Sequence, residues 1–158
     1  MNELTAFGEA VQSSPFGAWA GGDAYPIANL VHILGLVMLV GGIGILDLRL
    51  AGLFRRIPAQ PLASALTPIA IVGLLLMVPS GATMFAADAS ALVNSTTFRI
   101  KLLLILLALT NAIAFRYLWQ RRIDRWDSDP APLGRLMAAV SILLWLSIAG
   151  FGRWIAYS

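Results

Sequence analysis

The stretch Ile27–Leu46, IANLVHILGLVMLVGGIGIL, contains no charged residue and decides the fold class. As a helix it rises ~1.5 Å per residue, so roughly 20 residues cross ~30 Å of hydrocarbon. Three more runs of comparable length follow, Leu62–Phe85, Ile100–Leu118 and Leu136–Ile155. A helix on the surface of a soluble protein shows a polar stripe to water, and these runs scarcely have one. The pattern predicts an all-α integral membrane protein, an antiparallel bundle of four transmembrane helices joined by short connections.

Composition agrees. Of 158 residues, 59% are hydrophobic and 12% charged, which leaves no room for a separate soluble domain. Residues 1–26 read as an amphipathic interfacial tail and 27–158 as the four-helix membrane domain. The absence of cysteine excludes disulfides, thiolate metal sites, iron-sulfur clusters and thioether-linked haem. The sequence pI near 10.0 comes from basic residues in membrane-flanking loops. Anionic membrane lipids, not nucleic acid, are their expected partners.

Charge also orients the spans. Arg49, Arg55 and Arg56 lie between the first two runs, and Arg116, Arg121, Arg122, Arg125 and Arg135 between the last two. The opposite side has only Arg99, Lys101 and Arg153, and the tail carries Glu3, Glu9 and Asp23 without Lys or Arg. The positive-inside rule therefore predicts both termini outside, which in a bacterial inner membrane means the periplasm. The tail lacks the basic start and apolar segment of a classical signal peptide, so the first span is expected to act as its own insertion signal.

Leu4, Phe7 and Val11 recur at helical spacing and predict one short interfacial helix in the tail. Trp19, Tyr25, Trp154 and Tyr157 are expected in the outer aromatic belt, and Tyr117, Trp119 and Trp126 in the inner one. The segment 124–132 reads as the one real loop. Gly35 and Gly42, and Ala108 and Ala112, are spaced for close helix packing. Pro79, before Ser80 and Gly81, is expected to kink the second span or end it early.

Polar side chains inside spans are costly to bury without a partner, and so carry the functional information. His32, Asn29, Ser80, Thr83, Lys101 and Arg153 all fall in the outer third, with Asn29 one helical turn before His32. A cationic cluster with a histidine suits haem propionates, a quinone headgroup, a lipid phosphate or an acidic protein partner. A single histidine excludes intrachain bis-histidine haem; His32 with Met84, or a haem b shared across a homo-oligomer, is the remaining haem geometry. One histidine without an acid on its helix makes too few metal ligands. No strained nucleophile turn or phosphate-binding glycine loop is present, so nothing in the pattern points to catalysis. At the inner end Asp47 calls for a basic partner, Arg49 or Arg116. Asn111 is expected to hydrogen-bond between helices.

The run Tyr25 to Gly35, YPIANLVHILG, resembles small bacterial four-helix membrane proteins grouped as domain of unknown function 6644. Similar too are Asp47-Leu48-Arg49-Leu50, Phe98-Arg99-Ile100-Lys101 with Asn111, and the closing Gly152-Arg153-Trp154-Ile155-Ala156-Tyr157. The resemblance spans 25–157 and implies a four-helix fold without an established activity. Many members carry a glutamate where this chain has Asn29, which takes an acidic partner from His32 and weakens any metal or proton-transfer role. Three functions are expected from these readings: a non-catalytic membrane component binding a lipid or protein partner, a haem- or quinone-binding membrane anchor of a redox system, or a small transporter subunit with Pro79 beside its path.

Overall fold

In the computed structural model, which describes residues 3–155, the chain is helical throughout, with no strand among the described residues. The helices are α1 (Glu3–Gln12), α2 (Pro15–Gly21), α3 (Ala24–Ala51), α4 (Ala59–Ala87), α5 (Ala89–Asn94), α6 (Thr96–Trp119) and α7 (Pro132–Trp154), with a 3₁₀ segment, Gln120–Arg125, after α6. The four long apolar helices α3, α4, α6 and α7 are long and apolar enough to cross a membrane. They make an all-α, four-helix membrane bundle.

Small residues decide how closely it packs. A Cβ built on Gly35 of α3 would lie 2.7 Å from the Gly73 carbonyl oxygen, and one on Gly73 of α4 would lie 2.6 Å from the Gly35 oxygen. The two backbones therefore touch, as expected where packing rather than hydrophobic transfer drives association in lipid. Gly42 repeats the device one heptad along, 3.1 Å from the Leu66 oxygen. On its other side α3 meets α7, and α7 in turn carries α6. Leu39, Ala70, Ala108 and Trp145, one from each span, meet in the central core. The remaining face of α6 is exposed, so Ala108 is its one buried residue.

The helices run past the bounds of the apolar stretches. α4 continues through both Pro68 and Pro79, so Pro79 does not end the span. Hydroxyls beside it fold back onto the helix: Ser80 Oγ donates to the Leu76 carbonyl at 2.6 Å and Thr83 Oγ1 to the Pro79 carbonyl at 3.0 Å. Side-chain hydroxyls of this kind help intramembrane helices tolerate proline. α3 starts at Ala24, not Ile27, and ends on Gly52, whose φ of 119° is the left-handed conformation that glycine adopts freely.

The tail holds two helices where one was expected, and both rest on the bundle. Gln12 Oε1 accepts from the Ser90 amide at 3.0 Å and from the Ser90 hydroxyl at 2.6 Å, tying α1 to α5. Ser14 caps α2, accepting from the Gly17 amide at 3.0 Å, and Ala20 of α2 is buried with Ala86 and Ala87 of α4. Leu4, Phe7, Phe16 and Trp19 stay exposed. The tail is thus a platform over one end of the bundle, here termed the tail end; the other is the arginine end. Tyr157, expected in the aromatic belt, lies outside the described residues.

Candidate functional site

His32 faces α4 from the second turn of the apolar stretch, its ring over Gly81: a Cβ on Gly81 would lie 3.1 Å from His32 Cε1 and 3.5 Å from Nδ1. His32 Nδ1 is 3.1 Å from Ser80 Oγ. Because a carbonyl only accepts, the 2.6 Å contact between Ser80 Oγ and the Leu76 oxygen uses the hydroxyl proton. Ser80 therefore presents a lone pair to the ring, and His32 Nδ1 is the donor between them. The His32 side chain also hydrogen-bonds to the Met77 backbone, so its polar contacts run to α4.

Lys101, on the second turn of α6, brings its ammonium to α7, where Nζ lies 3.3 Å from the position a Cβ on Gly152 would take. It is half-buried and within electrostatic reach of His32. Among the described residues no carboxylate pairs with it. Arg153 follows Gly152 on the exposed last turn of α7. The tail end thus joins His32 and Ser80 by a hydrogen bond, while Lys101 lies against α7 within electrostatic reach of His32. Asn29 and Met84 are partly buried on the same helices without a hydrogen bond to His32, and Thr83 is turned onto its own helix. Gly81 and Gly152, which make room for the imidazole and the ammonium, were not anticipated. Their signal was adjacency, one following Ser80 and the other preceding Arg153.

The arginine end is built differently. Arg49 is 3% exposed, and its guanidinium donates to the Ile57 carbonyl at 2.5 Å and forms an ion pair with Asp127. Asp127 also accepts from the Ala59 amide, at 3.2 and 3.3 Å from its two oxygens, capping the first turn of α4. Trp126, expected at the membrane interface, is instead 2% exposed and donates from Nε1 to the Leu50 carbonyl at 3.1 Å. Gly134 leaves its ring the space, since a Cβ there would fall 2.4 Å from Cη2.

Asp47 accordingly lacks the partners expected for it. Residues two apart on a helix point to different faces, so Arg49 turns away to Asp127, and Arg116 is exposed on α6. The Asp47 carboxyl faces Ser141 of α7, and its Oδ2 is buried without a hydrogen bond. Asn111 does bridge helices, donating from Nδ2 to the Met137 carbonyl at 3.0 Å. No group of three metal-ligating side chains occurs among the described residues.

The model of the Family of unknown function (DUF6644) matches residues 9–158. The chain belongs to this family. No curated protein and no solved structure matches it. The DUF6644 match covers both ends of the bundle: His32, Ser80, Lys101 and Arg153 at one, Asp47, Arg49 and Asp127 at the other.

Proposed function

We propose that this membrane protein is a non-catalytic component that binds an anionic lipid headgroup at the tail end, through Lys101 with Arg153 and His32. The observation that carries the reading is the ammonium of Lys101, seated against Gly152 and paired with no described carboxylate. A half-buried charge in a lipid-facing bundle is costly until it is compensated. The anion that abounds near that depth is phosphate. Mass spectrometry of lipids retained by detergent-purified protein tests this. An anionic phospholipid is expected with the native chain and at least several-fold less of it with Lys101→Gln; unchanged retention would show that Lys101 only reaches for the interface.

The His32–Ser80 bond favours a second reading, a haem-binding redox anchor. Histidines that ligate metals commonly donate their other ring nitrogen to a fixed acceptor, as His32 Nδ1 does here. An absorption spectrum of protein from haem-replete cells distinguishes the two: a Soret band lost in His32→Ala supports haem, and colourless folded protein removes it. We further propose a bacterial inner-membrane location with both termini periplasmic, supported by the arginine-rich connections at the opposite end.

A further inference from the structure

We infer that Asp47 is a proton-binding site inside the bundle, its carboxyl held there as the neutral acid. This site lies at the arginine end and stands apart from the lipid reading. Asp47 sits one turn before α3 ends at Ala51, and it is 9% exposed. Its helix neighbours Leu46 and Leu50 belong to an apolar core with Ala59, Trp126 and Ala138. Ser141 of α7 hydrogen-bonds to the carboxyl, but the buried Oδ2 has no partner. Asp47 is also the only acid on α3, α4, α6 and α7, so a change of charge within these helices on the acidic side centres on it.

A negative charge in such a place needs a cation beside it, and none pairs with Asp47. α3 packs against α2, α4 and α7. α2 and α4 carry no ionisable side chain. On α3, Arg49 is committed to Asp127, and His32 lies toward the other end. The basic residues of α7 are Arg153, at the tail end, and Arg135, which precedes Ser141 by six positions and forms no ion pair with Asp47. Arg116 of α6 is exposed. A carboxylate withdrawn from water without a counter-charge is strongly disfavoured, and such a group instead takes up a proton. The acid is easier to house. With its proton directed to Ser141, Oδ2 is a carbonyl oxygen, and a buried carbonyl tolerates a missing donor far better than an anionic oxygen does.

Infrared spectroscopy of detergent-purified protein near neutral pH reads the protonation state without a probe. The native chain is expected to show the carbonyl stretch of a carboxylic acid, moved by heavy water, and Asp47→Asn to lose it. Dicyclohexylcarbodiimide is an apolar reagent that couples to carboxylic acids rather than to carboxylates. It should modify Asp47 at neutral pH and modify it less as the pH is raised, with peptide mass spectrometry locating the adduct. Stability supplies a further readout. The folded chain retains a proton that unfolding releases once the carboxyl is in water, so the folding equilibrium should weaken with rising pH, by about tenfold per unit at most. An amide resembles the neutral acid, so Asp47→Asn should fold as well as the native chain and lose that part of the pH dependence.

Arg135 is the base to test against, because its Nε is also buried without a partner. An acid band missing from the native chain, or one that appears only in Arg135→Gln, would show a carboxylate held by a cation and overturn the inference. The carbodiimide reaction needs no substitution, so it decides even where Asp47→Asn does not fold: Asp47 left unmodified in the folded native chain overturns the inference as well. Lipid retention by Lys101→Gln is independent of either result.

Discussion

At the scale of single residues the tail-end site depends on side chains that are missing. Gly81 lets the imidazole lie against α4, within reach of Ser80, and a branched side chain there would occupy that space. Gly81→Val is therefore expected to break the His32–Ser80 bond and lower affinity for the anionic lipid roughly fivefold, about the worth of one hydrogen bond. Lipid titration by native mass spectrometry measures it; unaltered affinity would mean that the ring position does not matter. Gly152→Ala should do less, because its new methyl would meet the mobile end of a lysine at 3.3 Å. The cluster was legible as a set of polar residues at one depth, since one residue adds a fixed rise. The tautomer was not legible, because it depends on the Ser80 proton going to Leu76 rather than to the ring. Asp47 is the contrary case: its expected pairing with Arg49 ignored that positions two apart diverge around a helix.

Among the elements, the α3–α4 pair is the tightest join, and its glycines are not equivalent. A Cβ on Gly73 would lie 2.6 Å from backbone atoms of Gly35 and Leu39, whereas one on Gly41 would meet nothing within 4 Å. Gly73→Ala should force the helices apart and destabilise the protein by about 1–3 kcal/mol, the usual cost of overpacking. Gly41→Ala should be neutral or slightly stabilising, since alanine favours a helix by up to ~1 kcal/mol over glycine. Thermal unfolding in one detergent compares them, and equal shifts would contradict the close crossing. The sequence spacing revealed Gly35 and Gly42 as packing positions, but the facing glycine on α4 depends on register between helices. The loop after α6 was legible in 124–132, but how it packs was hidden for the same reason. Trp126 has the composition of an interface anchor, yet Gly134 admits its ring to the core and Asp127 reaches Arg49, 78 residues away.

For the whole molecule, an even number of spans brings Glu3 and Ile155 to one end, and the orientation proposed above rests on the basic residues. Arg49 is committed to Asp127, so it adds little to the bias. Arg55, Arg56, Arg116, Arg121, Arg122 and Arg125 nevertheless remain exposed at the arginine end. The tail end has Arg99, Lys101 and Arg153, and Lys101 is partly buried. Orientation follows Lys and Arg in short connections rather than net charge, so Asp124, Asp127 and Asp129 do not cancel the asymmetry. Alkaline phosphatase fused after Ser158 should therefore be active, because it folds only outside the cytoplasm, whereas a fusion in the turn after α3 should be inactive. Replacing Arg121, Arg122 and Arg125 with Gln should move a measurable fraction of molecules to the opposite orientation. An inactive fusion after Ser158 paired with an active one after α3 would reverse the topology, and would place the His32–Lys101 site toward the cytoplasmic leaflet.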